Sequence, residues 1–238
     1  MARIVKEEEY AGKRNAILDV AQQLIYTRGY EQMTIQDMLD GLRISKGAFY
    51  HYFDSKQEVL EALVERMGEE VVQLLLPIVH DPELGALEKL RRFFPTLARW
   101  KTARKDFILA LMHILYADEN ALFRQKARTL AVKRVTPLMT TVIRQGVREG
   151  VLTTAYPDQV SEVVISLVLD FGDTLAGLLL SWEPAREEYP RVECTVAAYT
   201  DTLERALGAP AGSLPLADTE TLKEWFVSPG DKEAEAKP

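Results

Sequence analysis

Apolar residues recur at helical spacing along most of the 238-residue chain. In segment 13–28 they fall every three or four positions and Gly29 follows, which predicts an amphipathic helix ended by a glycine. The same spacing predicts helices at 56–79, 83–102, 105–116, 119–149, 160–182 and 190–207, and a short one at 217–226. Since no segment predicts a strand, the pattern indicates an all-α protein.

Two short helices joined by a tight turn are predicted between Thr34 and Lys56. The Thr34 hydroxyl is placed to cap the first helix, whose apolar residues fall at i, i+3, i+4 and i+7. Ser45 is placed to cap the second helix, and Phe49 then lies on its inner face. The segment therefore predicts a helix, a turn and a second helix packed on a common core.

The outer face of the second short helix has an unusual composition for a solvated surface. It carries no acid before Asp54, and its members are Lys46, Ala48, Tyr50, His51 and Tyr52. Phenol hydroxyls, ammonium groups and helix-start N–H groups bind phosphate oxygens, and small residues let a helix approach a groove floor. Packing aromatics are the alternative interpretation of the tyrosines, but the constellation as a whole favours contact with nucleic acid.

At these positions the sequence resembles the TetR-type (TetR/AcrR) transcriptional regulators. The resemblance covers about residues 13–60 and depends on Gly29-Tyr30, Met33-Thr34, Ile35-x-x-Met38, the run 44–53 and Ser55-Lys56. It implies a three-helix helix-turn-helix DNA-binding domain followed by an all-helical ligand and dimer domain. One departure is Arg43, where most members have a glycine that tolerates a positive φ; Gly41, two residues earlier, is an alternative site for the turn.

The resemblance and the position of the two short helices together give a predicted DNA-contact set. Its members are Thr34, Gln36, Ser45, Lys46, Gly47, Ala48, Tyr50, His51, Tyr52 and Lys56. We expect most of these to face phosphates. The base-edge candidates are Gln36, Lys46, Gly47 and Ala48. The expected partner is therefore double-stranded DNA with a near-palindromic sequence, because a two-fold dimer reads two half-sites.

Four regions are predicted on this basis. They are a loose arm at 1–12, the helix-turn-helix domain at 13–56, a helical effector-binding and dimerisation domain at 57–210, and a partly disordered extension at 211–238. The helix at 56–79 is the predicted mechanical link between the two functions. The predicted function is a ligand-responsive DNA-binding regulator, a repressor released by a small and largely apolar effector.

The dimer and ligand contacts are predicted from the later helices. Two apolar helices late in the chain favour an isologous four-helix seam, and the resemblance implies the same pair. The seam residues are Ser166, Asp173, Ala176, Gly177, Leu180, Val192, Val196, Tyr199 and Leu203. The aromatic-rich ligand set is Phe93, Phe94, Trp100, Phe107, Met112, His113, Tyr116, Phe123, Met139, Asp170 and Phe171.

Composition restricts the remaining function classes. The net charge of −7 means that DNA binding depends on local placement of charge and not on a basic domain. A lone cysteine, Cys194, fits a reducing cytoplasm, and we expect no secretion signal and no membrane-spanning run, since polar residues interrupt 163–180. Because motifs for phosphate loops, zinc sites and nucleophile elbows are missing, we expect no cofactor and no metal site.

Three ionisable side chains leave an alternative open. Asp170 and Asp173 share a face of an otherwise apolar helix, so they need bonds to Ser, Tyr or Arg side chains, a dimer rim or a polar ligand. His113 lies in an apolar helix and is expected to be a core histidine or a ligand contact. A small helical enzyme that uses Asp170, Asp173 and His113 is therefore the alternative function, but it does not account for the outer face at 46–52.

Overall fold

The computed structural model describes residues 2–181 and 189–226, and within these it contains helices and no strand. The helices are α1 Ala2–Arg28, α2 Ile35–Leu42, α3 Lys46–Tyr50, α4 Lys56–His80, α5 Ala86–Thr102, α6 Lys105–Leu115, α7 Ala121–Arg148, α8 Pro157–Leu180, α9 Tyr189–Leu207 and α10 Thr219–Phe226. A 3₁₀ turn, Asp118–Asn120, precedes α7. The all-α prediction is confirmed, and each predicted helix has a counterpart; apart from the start of α1, the ends differ by a few residues.

The first helix is longer than its sequence pattern indicates. The prediction of a loose arm at 1–12 is wrong, because α1 begins at Ala2 and runs without a break to Arg28. Strong helix formers fill this stretch, and Glu9 and Lys13 form an i, i+4 ion pair at 2.6 Å. Gly29 ends the helix as predicted, with a φ of 77°.

The chain divides into two compact units, each with its own core. The first unit is Met1–Glu69 with Asp106–Ala127, and the second is Glu70–Lys105 with Arg128–Pro238. This division differs from the predicted boundary near residue 56, since α6 and the start of α7 belong with the N-terminal helices. The physical reason is that Phe107, Leu111, Ile114 and Phe123 are buried in the same core as Leu60.

The core of the first unit fixes the two short helices. Met38 of α2 and Phe49 of α3 are both fully buried against α1 and α4, where Leu18 and Leu60 are also completely inaccessible. A fully buried side chain of this size contributes about 1.5–3 kcal/mol. The opposite faces of α2 and α3 are therefore held in a defined orientation toward solvent.

The core of the second unit combines α5, α7, α8 and α9 with the end of α4. Val142, Ile143, Val164 and Leu203 are fully or almost fully buried in it. A buried lysine, Lys89, donates from Nζ to the Val79 carbonyl at 2.7 Å and to Gln145 Oε1 at 2.8 Å. The last turn of α4 is thereby capped by a cation, which satisfies a carbonyl that the helix itself leaves unpaired.

The predicted C-terminal helix is present as α10 and is anchored to the second unit. Leu222 and Phe226 are buried with Leu178 and Val192 in a small cluster. The indole of Trp225 donates from Nε1 to Thr102 Oγ1 at 2.8 Å, which fastens α10 to the end of α5. The last part of the predicted, partly disordered extension, residues 227–238, and the predicted helix end at 182 lie outside the described residues.

Helix α8 is long and apolar along most of its length. Among the described residues, α8 is the one helix long and apolar enough to cross a membrane by length and composition, so the expectation that no run reaches that length is wrong. It packs against α9. Only 28% of its most apolar stretch is buried within the chain, which leaves an apolar face uncovered.

Candidate nucleic-acid interface

A reciprocal cap fixes the start of α2. The Asp37 N–H donates to Thr34 Oγ1 at 3.1 Å, and the Thr34 N–H and hydroxyl donate to Asp37 Oδ2 at 2.9 Å and 2.6 Å. These bonds from Thr34, together with Arg28 at 3.0 Å, hold the pKa of Asp37 below its usual value. The predicted capping role of Thr34 is confirmed, and its hydroxyl is already engaged within the protein.

The turn between α2 and α3 is made by an arginine. Arg43 adopts the left-handed conformation, with φ 53° and ψ 42°, and is the one non-glycine residue with positive φ in the described ranges 2–181 and 189–226. Gly41 does not shift the turn, because it lies inside α2 and a Cβ built there would approach Val20 Cγ1 to 2.9 Å. The turn of the family is therefore kept, and the arginine bears its conformational cost.

The face of α3 is exposed and unobstructed. Ser45 Oγ accepts from the Ala48 N–H at 3.2 Å, which confirms the second cap. Lys46, Gly47 and Ala48 are exposed, and no atom lies within 4 Å of a Cβ built on Gly47. Tyr50 is 42% exposed with Lys46 Nζ 5.9 Å from its ring centre. Small residues and an ammonium–phenol pair thus form a surface that another molecule can approach closely.

An aromatic cluster borders this surface. The ring of Tyr10 lies 5.7 Å from His51 and 4.8 Å from Tyr52, and these two rings are 5.1 Å apart. Sequence reasoning missed Tyr10, because residues 1–12 were expected to be a loose arm. The signal that could have found it is helical spacing: Tyr10 and Arg14 are four apart, and Arg14 lies over the Phe53 ring at 5.0 Å.

The predicted phosphate contact by Lys56 needs correction. Its ammonium donates to the carbonyls of Tyr30 at 2.8 Å, Met33 at 3.1 Å and Glu31 at 3.4 Å. It also lies 4.1 Å from the Tyr30 ring centre. Because all three ammonium protons have acceptors within the protein, Lys56 fastens the loop before α2 to the start of α4 and does not face outward.

The comparisons with known proteins agree with this geometry. Residues 17–63 match the model described as bacterial regulatory proteins, tetR family, and residues 111–188 match a tetracyclin repressor-like C-terminal domain.

The chain belongs to the TetR family.

It is therefore a DNA-binding transcriptional regulator, with the family's helix-turn-helix at its N-terminus and a helical C-terminal domain.

Individual relatives are distant or match in part. An uncharacterised HTH-type regulator of Lactococcus lactis is 44% identical over 52 residues, so the match spans 22% of this chain and about a quarter of that protein. The transcriptional repressor KstR2 of Mycobacterium tuberculosis is 25% identical over 142 residues, 58% of this chain and 68% of KstR2. The regulator TtgR of Pseudomonas putida is 24% identical over 159 residues, 64% of this chain and 75% of TtgR.

Solved structures agree on the fold. SmeT, the repressor of a Stenotrophomonas maltophilia multidrug efflux pump, aligns with a TM-score of 0.58 at 19% identity, over 86% of this chain and 96% of SmeT. NemR of E. coli aligns with a TM-score of 0.53 at 19% identity, over 83% of this chain and 99% of NemR. At these identities the likeness shows the TetR fold alone.

The residues predicted to bind a ligand do not form one cluster. Phe93, Phe94, Met139 and Phe171 share the core of the second unit. Phe107 and Phe123 belong instead to the core of the first unit. The predicted members of the first unit are Phe107, Met112, His113, Tyr116 and Phe123, and those of the second are Phe93, Phe94, Trp100, Met139, Asp170 and Phe171. A ligand site in the TetR core therefore has to be argued from the second group.

The histidine of α6 is not a core residue. His113 is exposed, whereas Leu111 and Ile114 on the same helix are buried in the first unit. The expectation of a core histidine is wrong, because α6 turns its 107, 111 and 114 face inward and position 113 lies on the other side. The family matches do not support the alternative enzyme.

The two aspartates of α8 have protein partners. Asp170 accepts a bond from the Tyr199 hydroxyl, which raises the pKa of Tyr199, and Thr174 Oγ1 lies 3.0 Å from the same hydroxyl. Arg128 donates from Nη1 to Asp173 at 2.5 Å and from Nη2 to the Ser166 carbonyl at 2.9 Å. The interpretation that these carboxylates bond to Tyr and Arg side chains is confirmed. Among the described residues, no group of three or more potential metal ligands is found.

Several residues predicted for the dimer seam are buried within the chain. Ala176, Val192 and Leu203 have at most 1% of their surface accessible, so they pack in their own protomer. This part of the prediction is wrong because apolar residues of α8 and α9 also pack within the protomer, and periodicity does not distinguish the inner face of a helix from its outer face. The other predicted members are accessible in part or fully: Ser166, Asp173, Gly177, Leu180, Val196 and Tyr199.

Proposed function

We propose that the protein is a repressor that binds a near-palindromic operator as a homodimer and is released from it by a small, largely apolar effector. The observation that carries the DNA-binding role is the open face of α3. There Gly47 has no neighbour within 4 Å of a built Cβ, and the ammonium of Lys46 and the phenol of Tyr50 flank it. No catalytic step is assigned to the chain, and a regulator of bacterial operators acts in the cytoplasm.

The contacts divide by chemistry. Tyr50, His51 and Tyr52 present polar groups beside α3 and are assigned to phosphates, which supply affinity without sequence information. Gln36 of α2 and the start of α3 are assigned to base edges in the major groove. Since the net charge is −7, we expect specific binding to depend on these few groups and nonspecific binding to be weak at physiological salt.

The accessible faces of α8 and α9 support the homodimer. Val163 is 58% exposed on α8, and Gly177 and Leu180 are exposed further along the same helix. Val163, Asp170 and Gly177 are spaced by seven residues, which places them on one side of α8. Cys194 on α9 is also exposed. A second copy that covers this apolar side would remove surface that a monomer leaves in water.

Helix α4 supports the switch. Leu60 and Leu63 near its start are buried in the core of the first unit, and Leu75 and Val79 near its end are buried in the core of the second. An effector that rearranges the second core therefore acts on the same helix that braces α2 and α3. By thermodynamic linkage, effector and DNA weaken each other's binding by the same factor. The corresponding coupling free energy is typically about 1–3 kcal/mol.

The test begins with selection of duplexes from a random library and measurement of binding over a salt series. Tyr50→Phe removes one phosphate-bonding hydroxyl and should weaken binding to all selected sequences by a similar factor. Val163→Glu places a charge on the proposed dimer seam. The variant should sediment as a monomer and should also bind the operator more weakly. Failure to enrich any sequence, or full operator affinity of a monomeric Val163→Glu variant, would contradict the proposal.

A further inference from the structure

One side of α1 adjoins the end of α3 and borders the proposed DNA-binding face. The ring of Tyr10 lies 4.8 Å from the Tyr52 ring and 5.7 Å from the His51 ring. One turn further along α1, the guanidinium of Arg14 lies 5.0 Å from the centre of the Phe53 ring, which is buried in the core of the first unit. These contacts hold this part of α1 against the two rings that are assigned to phosphates.

A lysine lies on the same side of α1, three positions after Tyr10. The side chain of this residue, Lys13, is exposed, and its ammonium donates to Glu9 Oε1 at 2.6 Å. The hydrogen bond and the charge of Glu9 raise the pKa of Lys13, and the phenol of Tyr52 adds a smaller effect in the same direction. The ammonium is therefore charged and lies near the phenol of Tyr52.

The bond between Lys13 and Glu9 can be exchanged for a bond to another anion. The two side chains are 60% and 61% exposed, and an ion pair this open contributes little because water solvates both charges. A DNA phosphate bound by the ammonium would release condensed counterions, which favours the exchange. The neighbouring acid, Glu8, does not compete, since two residues of helix turn it to the side opposite Tyr10.

From these contacts we propose that the side of α1 around Tyr10 and Lys13 is part of the DNA-binding surface: the Tyr10 ring positions His51 and Tyr52, and the Lys13 ammonium leaves Glu9 to bind a backbone phosphate. The partner is the phosphate backbone of duplex DNA, and no base contact is assigned to this side of α1. Tyr10 is a positioning residue, because it acts through the two rings that it touches. The inference rests on the proposed function, which assigns those rings to phosphates.

The salt dependence of operator binding by the full chain tests the Lys13 contact. Lys13→Met removes a cation from each protomer, so operator affinity should fall about tenfold at physiological salt, and the plot of log affinity against log salt should become shallower by about 0.9 for each lost phosphate contact. Arg92→Met is the matched control, since Arg92 forms an exposed i, i+4 pair with Glu88 at 2.7 Å on α5, and it should change neither quantity. An unchanged slope in Lys13→Met would overturn the contact.

Removal of the competing acid should have the opposite sign. Glu9→Gln frees the Lys13 ammonium, so operator affinity should rise severalfold, and this gain should be lost when Lys13→Met is added. Glu8→Gln removes the same charge one position earlier, on the other side of α1, and should have only the smaller effect of a screened charge. Equal gains from Glu8→Gln and Glu9→Gln would show a general effect of charge and would overturn the exchange.

A double-mutant cycle tests the positioning role of Tyr10. Tyr52→Phe removes a phosphate-bonding hydroxyl and should weaken operator binding about fivefold in the parent. After Tyr10→Ala the same substitution should cost about twofold or less, because the unsupported Tyr52 ring no longer holds its hydroxyl in place. Tyr10→Phe keeps the ring and should bind the operator like the parent. An equal loss from Tyr52→Phe in both backgrounds would overturn the positioning role.

A purely structural role makes a different prediction. If Tyr10 only supports the fold, Tyr10→Ala should lower the melting temperature, and the losses from Tyr10→Ala and Tyr52→Phe should add, which would overturn the assignment. The proposed function is measured separately, by selection of duplexes with the parent. If the parent enriches an operator and Lys13→Met binds it with the parent's salt slope, this inference fails alone. If the parent enriches no sequence, the proposed function fails and the inference fails with it.

Discussion

The side-chain amide of Gln36 donates from Nε2 to Asp40 Oδ1 at 2.8 Å on the exposed side of α2. An ionised carboxylate only accepts, so the amide must turn its nitrogen toward Asp40. The free donor and acceptor of Gln36 are then one N–H and the carbonyl oxygen. This pair matches the N7 acceptor and N6 donor on the major-groove edge of adenine.

Asp40→Ala should therefore change sequence preference more than affinity. Without its partner the Gln36 amide can rotate, so the preference for adenine at the position facing α2 should fall by about tenfold, the lower end of the range for a bidentate pair. Affinity for nonspecific duplex should rise slightly, because an acid near phosphates is removed. Selection with parent, Asp40→Ala and Gln36→Ala measures this; an unchanged base preference in Asp40→Ala would disprove the orienting role.

Gly47→Ala should separate folding from DNA binding. The free protein has open space where the methyl would lie, and alanine is favoured over glycine in a helix by about 0.5–1 kcal/mol, so stability should rise or stay constant. The same methyl would meet the floor of a groove, so operator affinity should fall by about tenfold. Thermal melts and gel shifts on the same samples measure both. A variant that keeps full operator affinity would show that α3 does not approach DNA at Gly47.

Arg43→Gly should stabilise the first unit. Glycine relieves the cost of the left-handed conformation, about 1 kcal/mol, although part of the gain is lost to the greater freedom of the unfolded chain. Arg43→Ala removes the charge and keeps the strained conformation, so it serves as the control and should not stabilise. Denaturant unfolding compares the three proteins. If Arg43→Ala and Arg43→Gly stabilise the protein equally, the effect comes from removal of the charge and not from the positive φ.

The cap of α2 should make stability depend on pH in a defined window. The hydrogen bonds from Thr34 lower the pKa of Asp37 in the folded protein. Its contribution to the free energy of unfolding is therefore fully present above the pKa of the unfolded chain, near 3.8, and is lost as the pH falls through the lower pKa of the folded protein. The stability difference between the parent and Asp37→Asn should thus be constant near pH 6 and narrow below about pH 4. Thr34→Ser keeps the hydroxyl and should behave like the parent. If the stability difference between the parent and Asp37→Asn instead widens at acid pH, the assignment is contradicted.

Features that depend on neighbours along the chain could be predicted from the sequence. The caps at Thr34 and Ser45 and the terminating Gly29 follow from local backbone bonding, and the structure contains all three. The open face of α3 follows from the same local geometry, because burial of Phe49 sets the direction of its neighbours.

Features that depend on distant partners could not be predicted in the same way. Periodicity shows which residues of α6 share a face, but it does not show that this face packs with Leu60 and leaves His113 in solvent. The direction of the Lys56 ammonium is set by carbonyls more than twenty positions away. On α8, apolar residues occupy nearly every side, so Ala176 and Val163 look alike in sequence although one is buried and the other exposed.

The three hydrogen bonds from the Lys56 ammonium to backbone carbonyls also bear on how a movement of α4 would reach the DNA-binding helices. The loop at 30–33 leads directly into the cap of α2, and Lys56 is the first residue of α4. These bonds tie the start of α4 to the loop that leads into α2, so we expect a displacement of α4 to move α2 with it. A lysine that was expected to bind phosphate instead joins the start of α4 to the loop before α2. In the dimer proposed above, a small movement of α4 would then change the distance between the two DNA-reading helices.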